Sequence, residues 1–232
     1  MIHGLRVLKT ASEILTFDLS IEEDLIHAQA WRAYGTLCRD ETVNKAKKAD
    51  GILVGAVGGI DDVNPPRSSI PEENDGLMRL RKELDVFAGL RPTRSSPHLI
   101  DTLPYRPEIA KGIDILLLRE MCSGVMFSHP RGIEVISHNQ RQAFDTTSYT
   151  TREIERFAQV GFRLAQRRKK KLISVDKANV MESGVLWREV VQTVSKEFPD
   201  IELNHMYADN CSYQLAVNPS QFDVIIADNL FG

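Results

Sequence analysis

Four apolar runs in this chain each end in polar residues whose types could do chemistry together. Residues 112–118 lead into Arg119 and Glu120, 172–175 into Asp176, Lys177, Ala178 and Asn179, 201–208 into Asp209 and Asn210, and 222–227 into Asp228 and Asn229. In an open α/β sheet the ligand crevice lies beyond the carboxyl ends of the strands. If these runs are strands of one such sheet, cations and carboxylates meet along one edge. Any single member also fits a solvated rim or an internal ion pair, and that alternative stays open. Arg81 adds to the set, because on a helical wheel it falls inside the apolar stripe of Leu77, Leu80, Leu84 and Ala88, while Arg79 and Lys82 point away. A guanidinium on a packing face needs a partner, since an unpaired buried charge costs several kcal/mol. It either pairs with an internal carboxylate or snorkels to water, or it takes a ligand carboxylate, for which the arginine fork is well suited. Arg91 lies just beyond this helix and could join Arg81 and Arg119. Three arginines, a lysine and an acidic pair suit a small polyanionic substrate held with a divalent cation.

Other chemistries find little support. There is neither G-x-G-x-x-G nor G-x-x-x-x-G-K-[ST], so neither phosphate-binding fingerprint is present. The six histidines lack metal-ligand spacing, and Cys38, Cys122 and Cys211 are an odd number without C-x-x-C, so they read as buried or neutral thiols. With 26% charged residues and a net charge of −3, the chain has no basic excess for nucleic acid or anionic lipid. The basic run Arg167 through Lys171 has no interleaved aromatics and suits the negative pole of a helix instead. No apolar window approaches a membrane span, and no secretory leader opens the sequence, which makes a cytoplasmic protein the expectation.

The elements that must position these residues alternate in type. Residues 51–57 read as a buried strand closed by Gly58 and Gly59, 60–75 as loop, and 76–88 as an amphipathic helix ending before Gly89. After the strand at 112–118, residues 122–145 show weak periodicity. Thr150 and Glu153 then have capping-box spacing, ahead of a helix with a stripe of Ile154, Phe157, Ala158, Gly161, Leu164 and Ala165. Strand 172–175, helix 185–198, strand 201–208, a short helix at 210–217 and strand 222–227 follow. Strands alternating with helices imply crossovers and a largely parallel sheet, hence an α/β fold.

At these residues the sequence resembles the isocitrate/isopropylmalate dehydrogenase family, on its isopropylmalate side. The resemblance runs through GAVGG (55–59), LRKELDVFAGLRP (80–92), the RE of 119–120, PRG (130–132), AFDT (143–146), EIERFA (153–158), SVDKANV (174–180), LWREVV (186–191), HMYADN (205–210), NPSQFDVI (218–225) and NLFG (229–232). It implies a two-domain α/β fold with a largely parallel sheet, incomplete in this chain, in which 1–86 is part of a cofactor-side domain. Residues 87–232 would be the substrate and dimerisation domain, with an arm at 122–150. It implies NAD-linked oxidative decarboxylation of a 2-hydroxy dicarboxylate, with magnesium or manganese, by a homodimer that shares its sites. Arg81, Arg91 and Arg119 match carboxylate-binding arginines, and Leu77 and Val180 match contacts to the isopropyl group. Lys177 matches the catalytic base. Asn179 and Glu72 match cofactor-site residues, with Glu73 the alternative to Glu72, and Asp209 matches a metal ligand.

Two departures stand beside it. The family's proton-donating tyrosine corresponds to Met126, whose thioether has no proton to give. The chain also opens at what resembles the family's first helix and stops where two further metal-binding aspartates would follow, so the expectation is a truncated chain with impaired or no activity alone. Isopropylmalate is the favoured substrate because of Leu77, AFDT and DKANV. Tartrate or isocitrate oxidation, and a non-catalytic interaction module, are the rival readings.

Overall fold

The computed structural model describes residues 1–57, 65 and 67–232, which gather into two compact units, Met1–Asp85 and Val86–Gly232. The first unit is helical: α1 (Ile2–Leu15), α2 (Ala28–Tyr34), α3 (Asp40–Ala46), α4 (Pro71–Asn74) and α5 (Gly76–Glu83). Its small core joins Cys38, Val43 and Leu80. Helix α5 starts where the Asp75 carboxylate accepts from the N–H groups of Leu77 and Met78, satisfying donors that have no intrahelical partner.

Three expectations are corrected here. Residues 51–57 form no strand, and Ile52, Leu53 and Val54 are exposed. Among its described residues this unit contains no strand that could take up their backbone groups, and an apolar run alone cannot make a ladder. Gly58 and Gly59, which were to close that strand, lie outside the described residues, as do 60–64 and 66 of the expected loop at 60–75; its end forms α4 instead. The predicted helix 76–88 stops at Glu83, and Asp85 turns the chain with φ 49°. The stripe also differs from the wheel: Leu80 is buried, Arg81 only half-buried, and Arg79 turns inward to donate to the Cys38 carbonyl and to Asp40.

The second unit is built on one sheet. Its elements are β1 (Ala88–Arg94), α6 (Pro107–Ala110), β2 (Asp114–Glu120), β3 (Arg131–Ser137), β4 (Gln140–Asp145), α7 (Thr151–Gln166), β5 (Lys171–Asp176), α8 (Glu182–Ser195), β6 (Glu202–Tyr207), α9 (Ala208–Val217) and β7 (Val224–Ala227). The sheet order is β1-β2-β7-β5-β6, antiparallel only between β1 and β2. Strand β1 begins at Ala88, which the sequence reading placed as the last residue of a helix. Because β2, β5 and β7 are buried on both faces, they read as continuous apolar runs rather than alternating ones. On one face Leu118, Leu172 and Ile226 pack with Phe157, Phe162, Trp187 and Val191 of α7 and α8. On the other, Ile115, Val175 and Ile225 pack with Cys211 and Phe222. The weakly periodic stretch 122–145 contains the exposed hairpin β3–β4.

Helix α7 begins with the expected reciprocal cap, Thr150 accepting from the Glu153 N–H and Glu153 from the Thr150 N–H. Its buried stripe contains Phe162, whereas Leu164 is only partly buried. Replacing Thr150 with Ala is expected to lower the unfolding free energy by about 1 kcal/mol. Replacing the fully buried Phe157 with Ala is expected to cost roughly 3–5 kcal/mol. Urea titration of both variants checks this ranking, and equal losses would contradict the division of labour between cap and core.

Candidate active site

Parallel pairing fixes where the polar strand ends go. Arg119 pairs with Ala227, Ala227 with Val175, and Asp176 with Tyr207. Arg119, Asp228, Lys177 and Asp209 therefore leave the sheet at the same edge, the carboxyl ends of four adjacent strands. The edge forms because β2, β7, β5 and β6 all point one way.

Arg119 is held from its Nε side. Nε donates to Asn229 Oδ1 at 3.1 Å and Nη2 to the Asn229 carbonyl at 2.8 Å. Asn229 is 1% exposed. Its Nδ2 donates to the Ser123 carbonyl at 2.8 Å, and its backbone N–H donates to the Tyr149 hydroxyl at 3.0 Å. Gly232 lies against the same arginine, where a Cβ would come within 2.6 Å of Arg119 Cβ and Cγ. Arg91 is on β1, with Gly89 opposite Arg119 and Arg91 opposite Leu117. Residues directly opposite share a face, as do those two apart, so Arg91 and Arg119 are diagonal neighbours on one face, within reach of long side chains.

Lys177 donates to Asp209 Oδ1 at 2.6 Å. This hydrogen bond holds the Asp209 carboxyl below the usual carboxylate range. Beneath the pair, buried Asp176 accepts both arms of the Arg188 guanidinium at 2.9 Å, and its Oδ1 also accepts the Ala178 N–H that starts the turn carrying Lys177. The Arg188 guanidinium sits 5.1 Å from the Tyr207 ring centre. The Lys177 backbone is thus anchored through its neighbours, while Asp209 remains solvent-facing, its side chain 71% exposed.

Behind this edge are buried carboxyls. Glu120 accepts from the N–H groups of Cys122 and Ser123, both at 2.9 Å. Burial pushes its pKa up, as it does for Asp228, whose Oδ1 accepts from the Leu230 and Phe231 N–H groups. Burial also drives the Tyr149 hydroxyl far up, leaving it protonated as a hydrogen-bonding group. A cavity of about 10 Å³, room for roughly one water, lies among Tyr149, Asp176, Lys177 and Asp228.

The remaining candidates are placed less centrally. Asn179 and Val180 are exposed on the turn after Lys177, Val180 to 72%. Glu72, Leu77 and Arg81 belong to the first unit, Glu72 half-buried and Glu73 exposed on α4, Leu77 and Arg81 half-buried on α5. Met126 ends a short 3₁₀ turn and accepts, through its carbonyl, from Arg131. Asp209 is a hard oxygen donor suited to magnesium or manganese, which favour about six oxygen ligands. Among the described residues no group of three or more His, Cys, Asp and Glu side chains surrounds it, so this chain's described residues do not make a cation site by themselves. Asn179 and Glu72 stand in different units. From the sequence alone Asn229 stands out only by its place at a strand end, and Tyr149 and Ser123 do not stand out at all. The one usable signal was a tyrosine immediately before the capping threonine.

The full chain, residues 1–232, matches the isocitrate/isopropylmalate dehydrogenase family. It is 45% identical over its whole length to a 3-isopropylmalate dehydrogenase of Pseudomonas fluorescens, covering 64% of that protein. Over 94% of its length it is 50% identical to one of Ruegeria pomeroyi, covering 58% of that protein. It therefore spans less than two thirds of these curated relatives. Among solved structures, isocitrate dehydrogenase from Methylococcus capsulatus superposes with a TM-score of 0.74 at 24% identity, over 94% of this chain and 60% of that one. At that identity the likeness speaks for the fold alone.

The raised pKa of Asp228 has a measurable consequence. A carboxyl that holds its proton more tightly in the folded chain stabilises the fold fully at pH below its unfolded value, near 3.9. That contribution is lost as pH rises through the raised value. Asp228→Asn keeps the Oδ1 acceptor and removes the titration. Between about pH 4 and about pH 8 the urea midpoint of the parent is therefore expected to fall relative to that of Asp228→Asn, the contributions of Glu120 and His205 being common to both. Parallel profiles would refute the assignment.

Proposed function

Since this chain belongs to the isocitrate/isopropylmalate dehydrogenase family, we propose that it is part of an enzyme that oxidises and decarboxylates 3-isopropylmalate in leucine biosynthesis, with NAD as oxidant and magnesium or manganese as Lewis acid. The observation that carries this reading is the Lys177–Asp209 pair at 2.6 Å, set at the carboxyl ends of β5 and β6. The names of the 45–50% identical relatives support the substrate.

In this scheme Arg81, Arg91 and Arg119 take substrate carboxylates. Guanidinium forks match carboxylates in shape and remain charged at any working pH. Leu77 and Val180 meet the isopropyl group, and the exposure of Val180 suits contact with something outside this unit. Lys177, once neutral, takes the proton of the substrate 2-hydroxyl as a general base. Asp209 contributes one oxygen ligand to the cation, and Asn179 and Glu72 approach the nicotinamide. Met126 takes no part, since its side chain carries no proton to transfer.

The enzyme is read as a homodimer in which Lys177 and Asp209 complete the neighbour's site. Exposed Ile133, Val135 and Ile136 on the β3–β4 hairpin support a partner at the arm. Among the described residues no helix is long and apolar enough to cross a membrane, which is compatible with a cytoplasmic site of action.

The test is reduction of NAD with 3-isopropylmalate and magnesium, on this chain and on any longer product of its gene. Turnover is expected with 3-isopropylmalate in preference to isocitrate and tartrate. Lys177→Ala should lower kcat by about 10²–10⁴-fold. Preference for isocitrate or tartrate would reassign the substrate, and absence of turnover with all three would overturn the enzymatic reading.

A further inference from the structure

We propose that Asn229 is the positioning residue of Arg119, a buried amide that sets the plane of the guanidinium offered to the substrate carboxylate. The proposal rests on the functional reading for what Arg119 binds, but its geometry stands independently. An arginine side chain has many rotamers, and a fork recognises a carboxylate only in the correct plane. Asn229 takes two of the five guanidinium donors, Nε through Oδ1 at 3.1 Å and Nη2 through the backbone carbonyl at 2.8 Å. Two contacts from one residue define a plane, which a single contact cannot.

Asn229 is itself immobilised. Its Nδ2 donates to the Ser123 carbonyl at 2.8 Å, and its N–H donates to the Tyr149 hydroxyl at 3.0 Å. The amide orientation follows from its neighbours. Flipped, it would set an NH2 group against the arginine donors and an oxygen against a carbonyl, two repulsions in place of two bonds. Aspartate keeps the oxygen facing Arg119 but loses the donor to Ser123. Alanine loses both. The Ser123 carbonyl, the Tyr149 hydroxyl and β7 thus fix the amide, and the amide fixes the arginine.

The test uses two readouts on the parent, Asn229→Ala, Arg119→Ala and the double variant. In nitrogen-resolved proton spectra, the Arg119 Nε–H signal, identified by its loss in Arg119→Ala, should be slowly exchanging in the parent and should vanish or average in Asn229→Ala. In turnover by the longest product of the gene, Asn229→Ala should raise the KM for 3-isopropylmalate roughly tenfold or more, the effect of one lost hydrogen bond to a charged group, with the KM for NAD unchanged. The double variant should resemble Arg119→Ala alone, because Asn229 acts only through that arginine. Asn229→Asp, which keeps the acceptor, should retain the Arg119 signal. If Asn229→Ala loses the dispersed spectrum of a folded chain, Asn229→Ser, too short to reach the guanidinium, takes its place with the same expectations. A persistent Arg119 signal in the Ala or Ser variant, or KM effects that simply add in the double variant, would overturn the proposal. A parent that turns over no 3-isopropylmalate would overturn the functional reading instead, and the spectra would then decide the positioning role alone.

Discussion

A carboxyl group removed from water must be met by hydrogen-bond donors or keep its proton, and the second unit is organised around one that does some of both. Glu120, 1% exposed at the end of β2, accepts from the backbone of Cys122 and Ser123 and so dictates how the chain leaves the sheet. Ser123 then donates through its hydroxyl to Glu153, which is the reciprocal partner of Thr150 at the start of α7. Tyr149, just before that cap, reaches both Glu120 and the Asn229 N–H. One buried acid thereby couples the exit from β2, the entry to α7 and the turn after β7. Removing a single partner would leave a polar group buried and unsatisfied, which costs more than the net worth of the bond it made.

The second constraint is the direction of the strands. Parallel pairing brings the ends of β2, β7, β5 and β6 together, although β2 and β7 lie more than a hundred positions apart in the chain. Each functional side chain on that edge is backed by a buried one. Arg119 has Asn229 behind it, and the Lys177 turn is tied to Asp176, which is held in turn by Arg188. The exposed groups face outward from a rigid base, so little additional ordering is left to be done when a ligand binds.

Much of this was legible in the sequence. The apolar runs that became β2, β5, β6 and β7, the Thr150–Glu153 cap and the α8 stripe all depend on local spacing, and the strand-end residues followed from the rule that crevices form at carboxyl ends. Where neighbours rather than spacing decide, the reading failed. Residues 51–57 have the composition of a strand but no described strand beside them. The predicted helix ran to Ala88, yet α5 stops at Glu83 and the edge of β2 takes up 88–94 as a strand.

The sequence by itself determined which residue types stand at the ends of the apolar runs and the family they belong to, because those depend on order and period alone. It could not determine which polar group faces which. Arg79 turned inward to Cys38 and Asp40 while Arg81 remained half-buried, since the short helix α5 packs through Leu80 and not through the stripe that a longer helix would present. Asn229, marked in the sequence only by its place after a strand, became the partner of Arg119 because parallel pairing set β7 beside β2 and burial left its amide no other way to satisfy its donors and acceptors. Pairing and desolvation are properties of the packed chain, and only the tertiary structure supplies them.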